Sequence, residues 1–324
     1  MRLLVTGGAG YIGSVVAAML ADDGHDVVVL DDLSTGHADA VPAAATFQRG
    51  TLRQDALGIL RTGVDAVLHF AAKSLVGESV AEPARYWSHN LGGSLALLDA
   101  MRETGTRRIV FSSTASVYGQ PERVPVTETD PVRPTSPYGE SKVAVDITLT
   151  EYARLHQFGA VSLRYFNVAG AHADSSGTWR GERHDPETHL IPNVLAVARD
   201  GGELQLNGDD YPTQDGTCIR DYIHVADLAR AHLLALEATE PGRHAIYNLG
   251  TGTGNSNREV LEACREVTGS EIPVRIVDRR PGDPAVLVSS ADAIRADLGW
   301  HPERDLRSMV ADAWTFTQQL TKTG

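Results

Sequence analysis

Cysteine and basic residues are scarce in this 324-residue chain, and long apolar runs are missing. The two cysteines, Cys218 and Cys264, have neither metal-ligand nor redox spacing, which excludes a cysteine-based metal or redox motif and fits a reducing compartment. The 29 Lys and Arg residues are outnumbered by 42 Asp and Glu, and the net charge of −13 argues against nucleic acid or an anionic membrane as a partner. No apolar run approaches the ~20 residues of a membrane span, and the first strand-like segment begins too close to Met1 for a signal peptide. We therefore expect a cytoplasmic protein.

A glycine cluster joins the first predicted strand to the first predicted helix. Gly7, Gly10 and Gly13 have the spacing G-x-x-G-x-x-G, which is typical of the short-chain dehydrogenase type of Rossmann domain. A Cβ here would block the turn and hold a pyrophosphate away from the backbone N–H groups and the helix N-terminus that bind it. The loop therefore predicts a dinucleotide site.

An acidic residue follows the second predicted strand. Asp31 lies eighteen residues after Gly13, where its carboxylate would accept both ribose hydroxyls of NAD and repel the 2′-phosphate of NADP. Residues 32–37 add a second acid, Asp32, and contain no Arg or Lys that would receive a phosphate. The sequence therefore predicts NAD as the cofactor.

Strand-like and helix-like segments alternate over the first half of the chain, which is typical of α/β proteins with a Rossmann-type, doubly wound parallel sheet. Because the chain exceeds the usual size of one compact domain, we expect two lobes that share a cleft. We predict an NAD-binding domain over 1–167, rejoined by 221–250, and a smaller C-terminal α/β substrate lobe over 168–324. The predicted strands are 27–30, 66–70, 108–113, 161–165, 245–249 and 273–277, the predicted helices are 14–20, 86–103, 136–158 and 222–237, and 168–212 is predicted to be rich in loops.

Tyr138 and Lys142 lie four residues apart at the start of a predicted helix, so both side chains project from one face. A neighbouring ammonium favours the phenolate of tyrosine, whose ordinary pKa is ~10, and so makes it a usable base near neutral pH. Ser112, Ser113 and Thr114 end the preceding predicted strand, and Thr114 is expected to hydrogen-bond the substrate oxygen that Tyr138 deprotonates. We interpret Tyr138 as the base that oxidises a secondary alcohol to a ketone together with NAD.

The fate of that ketone is left open by these residues alone. If the ketone leaves, the enzyme is a dehydrogenase. If the ketone is retained, turns over and is reduced on its other face, the net result is inversion at carbon, and the enzyme is an epimerase.

The chain resembles the UDP-glucose 4-epimerases, a branch of the extended short-chain dehydrogenase/reductase family, over nearly its whole length. The most specific matching strings are 165–171 and 210–225, which generic NAD-binding folds do not share. Other matching strings are 7–13, 70–72, 76–79, 112–119 and 280–283, together with Tyr138 and Lys142.

The resemblance implies reversible epimerisation of UDP-glucose and UDP-galactose at sugar C4 through a 4-keto intermediate, with NAD held through the cycle. It implies a homodimer paired through 86–103 and 136–158, and no metal. Tyr138 would be the base, Thr114 its hydrogen-bonding partner, and Lys142 the group that tunes the phenol and holds the nicotinamide ribose. The implied cofactor contacts are Gly7, Gly10, Tyr11, Ile12, Gly13, Asp31, Leu33, Ser34, Thr35, Gly36, Phe70, Ala71, Ala72, Lys73, Asn90, Ser112, Tyr138, Lys142 and Tyr165. The implied substrate contacts are Ser113, Thr114, Tyr138, Asn167, His189, Leu190, Arg220, Arg280 and Asp283.

The chain departs from the family pattern at a few positions. Lys73 stands one position before the usual lysine, whose place is taken by Ser74, and Thr51 replaces an acid that contacts the cofactor. His189 stands where many relatives have asparagine. Leu287 aligns with a position whose bulk gates N-acetylated sugars, and because leucine is intermediate in size, UDP-N-acetylglucosamine and UDP-xylose remain alternative substrates.

Three other functions share parts of this pattern. A nucleotide-sugar 4,6-dehydratase needs an acid and a base directly after Thr114, where Ala115 and Ser116 stand. An NADP-dependent dehydrogenase is disfavoured by Asp31 and Asp32. A non-catalytic NAD-binding sensor is the non-enzymatic alternative, but such proteins often lose the tyrosine or the lysine that this chain keeps.

Overall fold

The computed structural model describes residues 1–280 and 282–320. The strands in this part of the chain are β1 (Arg2–Thr6), β2 (Asp26–Asp31), β3 (Thr46–Arg49), β4 (Ala66–His69), β5 (Arg108–Thr114), β6 (Gly159–Tyr165), β7 (Asn167–Ala169), β8 (Ala171–Ala173), β9 (Trp179–Gly181), β10 (Leu204–Asn207), β11 (Ile219–His224), β12 (His244–Leu249), β13 (Gly254–Ser256), β14 (Val274–Val277) and β15 (Val286–Leu287). The helices are α1 (Tyr11–Asp22), α2 (Leu52–Leu60), α3 (Val76–Ala81), α4 (Pro83–Tyr86), α5 (Gly92–Thr104), α6 (Pro137–His156), α7 (Leu190–Asp200), α8 (Val225–Glu237), α9 (Asn257–Thr268), α10 (Asp292–Leu298) and α11 (Leu306–Leu320). A π-helical turn, Trp87–Leu91, joins α4 to α5.

Seven parallel strands form the central sheet, in the order β12-β6-β5-β4-β1-β2-β3. The predicted Rossmann-type parallel sheet is therefore confirmed. The chain runs outward in one direction from β1 to β3 and in the other from β4 to β12, so the strand order reverses between β1 and β4. In open parallel sheets such a reversal leaves a crevice outside the carboxyl ends of the strands, and ligands bind there.

Helices cover both faces of the sheet. Leu3 and Val5 of β1 point to the face on which α1 and α8 pack, whereas Leu4 between them points to the face covered by α2, α5 and α6. This two-residue alternation within a strand that is apolar throughout buries both faces, which is why the strand sequence reads as one continuous hydrophobic run.

The rest of the chain builds a smaller α/β unit beside the sheet. Its buried core contains Val194 of α7, Val260 of α9 and Val310 of α11, and β10 pairs with β14 in parallel. Strand β11 pairs with β7, β13 and β15, and the chain then returns through α8 to β12 at the edge of the central sheet. The division into domains at residue 167 stays a prediction.

Two sequence predictions are wrong in detail. Residues 222–224, predicted as helix, belong to β11, because they pair with Asn167–Ala169 before the His224 side chain accepts the N–H of Ala226 and caps α8. The 168–212 segment, predicted to be rich in loops, contains α7 and four short strands, of which β8 and β9 pair with each other and β7 and β10 pair with strands distant in the sequence.

No helix in residues 1–280 and 282–320 combines the length and the apolar character needed to span a bilayer.

We predict that Trp300→Ala lowers the free energy of unfolding by about 3–5 kcal/mol. The Trp300 ring is 1% exposed in the core beneath α8, and its Nε1–H donates to the Asp227 carbonyl over 2.9 Å. Urea denaturation followed by circular dichroism measures the loss. The control is Val132→Ala, since Val132 is 39% exposed and its truncation should change the free energy by less than about 0.5 kcal/mol.

Candidate active site

A cleft of about 610 Å³ lies at the point where the strand order reverses. Its walls include the glycine loop after β1, the ends of β4 and β5, and the start of α6. Glu182, His184 and His189, which precede α7, line it from the other side. The cleft is therefore lined by residues of the central sheet region and by residues of the segment before α7.

The glycine loop is shaped by close backbone approaches. Gly7 has φ +71°, and a Cβ on it would lie 2.6 Å from the Ala71 nitrogen. A Cβ on Gly13 would lie 2.2 Å from the Gly7 carbonyl oxygen. By contrast, a Cβ on Gly10 would meet only that same oxygen, at 3.3 Å, and would otherwise occupy the cleft at the N-terminus of α1. The cradle therefore fits the diphosphate of a dinucleotide, which needs the open space at Gly10.

Asp31 lies at the end of β2 with its carboxylate fixed by the loops on either side. One oxygen accepts the N–H of Ala9 at 3.0 Å and the other accepts that of Leu33 at 2.8 Å. Burial raises the pKa of this carboxyl, and the two backbone hydrogen bonds oppose the rise. Asp31 is thus a fixed acceptor at the position expected for the adenosine ribose, and Leu33 supports it from outside the cleft wall.

Lys73 reaches across the cleft despite its shift by one position in the sequence. Its Nζ donates to Ser34 Oγ at 3.0 Å, and Asn90 holds its backbone through the Lys73 N–H and carbonyl at 2.8 and 3.0 Å. Asn90 also donates to Ser141 Oγ on α6, and so acts behind the wall of the cleft. Lys73 and Lys142 both line the cleft, and the only other lysine of the chain is Lys322.

Most of the predicted cofactor residues line this one cleft. They are Gly7, Gly10, Tyr11, Ile12, Gly13, Asp31, Ser34, Thr35, Gly36, Phe70, Ala71, Ala72, Lys73, Ser112, Tyr138, Lys142 and Tyr165. Thr51, the replacement for an acid, lines it too.

The start of α6 presents Tyr138 and Lys142 to the cleft. Ser136 caps the helix by accepting the N–H of Gly139, and Pro137 occupies the first turn. Lys142 Nζ donates to the Ser112 carbonyl at 2.9 Å and lies 5.9 Å from the centre of the Tyr138 ring. Burial lowers the pKa of Lys142 to about 8, and the Asp146 carboxylate opposes that fall.

The ionisation of Tyr138 differs from the sequence expectation. Burial raises the pKa of the phenol above its ordinary value, and a hydrogen bond with Thr114 only partly offsets this. Lys142 Nζ is turned towards the Ser112 carbonyl.

A buried ionic network that the sequence reasoning missed lies behind Lys142. Asp146, one helical turn further along α6, accepts two hydrogen bonds from the Arg164 guanidinium, at 3.2 and 2.9 Å. Arg164 also donates to Tyr118 Oη at 3.0 Å, and Ser113 donates to Asp146 at 3.3 Å. Ser113, predicted to contact substrate, is therefore directed to this network. The i, i+4 spacing of Lys142 and Asp146 was the sequence feature that could have indicated this network.

The residues predicted to bind the UDP end are only partly brought to the cleft. Asn167 lines it, whereas Leu190, Arg220, Arg280 and Asp283 are outside its lining. Arg220 and Asp283 do meet, with 3.1 Å between Nη2 and Oδ1. The Arg220 side chain is nine-tenths buried, and its Nη2 makes no well-formed hydrogen bond with a described residue, which leaves a donor for an anionic ligand.

Leu287 is the register partner of Arg220 across β15 and β11, and its half-buried side chain packs against the Val117 and Tyr118 core. Pro281, part of the matching string 280–283, lies outside the described residues.

His189 belongs to a cluster that the sequence reasoning did not assemble. Its Nδ1 lies 2.6 Å from Glu182 Oε1 and 2.9 Å from Glu187 Oε1, and His184 Nδ1 lies 2.9 Å from the same Glu182 oxygen. The ligand atoms of these four residues lie within 4.8 Å of one another, close enough to surround a metal ion. The alternation of Glu and His over 182–189 was the sequence signal.

Comparison with known proteins gives a consistent result. Residues 3–250 match the model of the NAD dependent epimerase/dehydratase family. The chain is 52% identical to a Corynebacterium glutamicum UDP-glucose 4-epimerase, over 99% of this chain and 97% of that protein. It is 56% identical to one from Streptomyces lividans, over 97% and 95%. A crystal structure of the Stenotrophomonas maltophila UDP-glucose 4-epimerase with bound NAD and formylated UDP-arabinopyranose superposes with a TM-score of 0.94, at 40% identity and full coverage of both chains.

Two glycine variants should separate the roles of the cradle. Gly10→Ala should keep the melting temperature but lower the NAD bound per chain, since the added Cβ occupies the cleft without a severe backbone clash. Gly13→Ala should lower both, because its Cβ meets the Gly7 carbonyl. Thermal unfolding measures the melting temperature, and the absorbance of nucleotide released on denaturation measures the bound NAD. Equal losses of melting temperature and of bound NAD in the two variants would contradict the assignment of Gly10 to the cofactor cradle.

Proposed function

Because the chain belongs to the NAD-dependent epimerase/dehydratase family, we propose that it interconverts UDP-glucose and UDP-galactose by inverting C4 of the sugar. The observation that carries this proposal is that Tyr138 and Thr114 line the same cleft as the dinucleotide cradle, between the two lobes. It is supported by relatives called UDP-glucose 4-epimerases that match almost the whole chain.

NAD is the cofactor of this family. The glycine loop would hold its diphosphate, Asp31 the adenosine ribose, and Lys142 the nicotinamide ribose. Bound NAD supplies a reversible two-electron acceptor for the carbon that is inverted.

Tyr138 is the proposed base in this mechanism. It takes the proton of the sugar 4-hydroxyl as C4 becomes a ketone. When the ketone is reduced from its opposite face, it returns a proton to the same oxygen, so the tyrosine ends the cycle in its starting form. Thr114 fixes the phenol through their hydrogen bond and shares the substrate oxygen. Because burial raises the Tyr138 pKa, the base needs added positive charge, and the Lys142 ammonium becomes that source if it turns from the Ser112 carbonyl.

The UDP end is assigned to the second lobe. Arg220 offers an unsatisfied buried donor to the diphosphate, and Arg280 adds a second guanidinium fork. Asp283, held by Arg220, would accept a ribose hydroxyl. Asn167 and Leu190 complete the proposed contacts. In this scheme 1–167 with 221–250 binds NAD, and 168–324 binds the nucleotide sugar.

A homodimer is part of the proposal. Trp87, Leu95, Ile147 and Leu155 are large apolar side chains that are 37–61% exposed in the single chain. They lie on α6 and on the segment from the π-turn to α5, which pack against each other. A second copy of this face would cover them, as is usual for symmetric dimers. We also propose a cytoplasmic location, since both cysteines are free thiols and the ligands are nucleotides.

The activity is tested by incubating the purified protein with UDP-galactose and following the sugar anomeric signals by NMR. We expect a stable mixture with UDP-glucose without added NAD and without accumulated NADH. Tyr138→Phe should slow the conversion by about 10³-fold or more while leaving UDP binding intact, because it removes the proton acceptor. A near-normal rate in this variant would exclude Tyr138 as the base, and product with another UDP-sugar only would correct the substrate.

The dimer is tested by light scattering after size exclusion. We expect the wild-type chain at twice its 34.7 kDa mass and the double variant Leu95→Glu, Ile147→Glu as a monomer, because two charges cannot be buried unpaired in an apolar interface. Ile276→Glu, at an exposed position on β14, is the matched control and should stay dimeric. A monomeric wild type would contradict the proposal.

A further inference from the structure

The segment 182–189 bridges the two lobes above the cleft. It follows β9 and ends where α7 begins. Arg183 forms a two-point ion pair with Asp39 at 2.9 and 2.7 Å, and His37 Nε2 contacts the Arg183 carbonyl at 3.0 Å. These contacts fix the segment to the region that follows β2, and so fix the orientation of the side chains that it brings to the cleft.

His189 is held in this segment by two carboxylates on one nitrogen. Glu182 and Glu187 approach its Nδ1 within 2.6 and 2.9 Å. Carboxylate oxygens only accept hydrogen bonds, so Nδ1 carries the proton. No described residue hydrogen-bonds Nε2, and the side chain is 47% exposed in the wall of the cleft. The nitrogen that remains available to a ligand is therefore Nε2.

The charges around His189 favour its doubly protonated form. The Glu182 side chain is only 7% exposed, and a buried carboxylate without a cation is costly. The two carboxylates raise the pKa of His189 to about 10, and the histidines lower that of Glu182 to about 2. The other titratable neighbours are His184, whose ring centre is 5.5 Å away, and Tyr11 of α1, whose pKa is raised by burial and by both glutamates.

The start of α7 adds to the positive potential at this point. His189 is the residue before the helix, and its side chain does not cap it. The N–H groups of Leu190 and Ile191 have no acceptor among the described residues, and Pro192 has no N–H. An 11-residue helix with open N–H groups attracts an anion at this end, beside the imidazole.

We propose that Glu182 and Glu187 are positioning residues that keep His189 as an imidazolium, whose Nε2–H binds the diphosphate of the UDP-sugar. This inference rests on the proposed function and adds to it a fixed charge where many relatives carry a neutral amide. The rival use of the cluster is as a metal site, but its shortest distances are those of hydrogen bonds in which each imidazole supplies the proton.

The first test measures UDP binding to the NAD-loaded protein by calorimetry from pH 6 to 8.5. Wild-type affinity should vary by less than about twofold from any change in His189, because the imidazolium persists. The double variant Glu182→Gln, Glu187→Gln should lose about tenfold in affinity as the pH rises through the ordinary histidine range near ~6.5, and His189→Asn should be about tenfold weaker at every pH. Glu122→Gln, an exposed charge elsewhere, is the control. Lys142 is present in all of these proteins and contributes equally to the pH dependence of UDP affinity in each. The difference in pH dependence between a variant and the wild type therefore reports on His189.

The second test follows His189 by NMR of histidine labelled in its ring. We expect no titration below about pH 9 in the wild type and a return towards ~6.5 in Glu182→Gln, Glu187→Gln. Since the folded-state pKa is raised, the stabilisation that His189 provides is complete below ~6.5 and is lost as the pH rises through about 10. The melting temperatures of wild type and His189→Asn should therefore converge above pH 9.

Three results would overturn the inference: wild-type His189 titrating near 6.5, an unchanged pH dependence in the double variant Glu182→Gln, Glu187→Gln, or a stoichiometric divalent cation whose removal by chelator abolishes UDP binding. Failure of the proposed function looks different. There the NMR signature of the imidazolium remains while neither UDP binding nor sugar conversion occurs, and the diphosphate is then excluded as the ligand.

Discussion

The structure depends on the close approach of three backbone segments at the end of β1. Gly13 lies against the Gly7 carbonyl, and Gly7 lies against the backbone at Ala71, with distances that no side chain would permit. These contacts bring the start of α1 and the end of β4 close to the end of β1. The cofactor cradle therefore lies where the strand order reverses and leaves a crevice.

Helix α6, which carries the proposed base, places charge in the interior of the protein and compensates for it there. Lys142 is buried beside the cleft, and Asp146 on the next turn offsets the cost of burial. Arg164 of β6 in turn neutralises Asp146 with two hydrogen bonds. The alternating charges run from the protein core to the position of the reaction, so the orientation of Lys142 is tied to the central sheet rather than to the surface.

The two lobes are joined by secondary structure as well as by side chains. Strand β11 belongs to the smaller unit, yet the helix and strand that follow it pack on and extend the central sheet. The segment 182–189 crosses in the other direction through the Arg183–Asp39 pair. Because both connections flank the cleft, they keep its two walls at a defined separation.

The sequence by itself determined the parallel sheet, the cradle and the pairing of Tyr138 with Lys142, because glycine spacing, strand hydrophobicity and helical periodicity are local signals. Only the tertiary structure decided that Lys73 reaches Ser34, that Ser113 is directed to a buried network, and that His189 is held between two carboxylates. It also decided that burial raises the pKa of Tyr138. These outcomes depend on desolvation and on partners far apart in the chain, and neither is encoded in residue spacing.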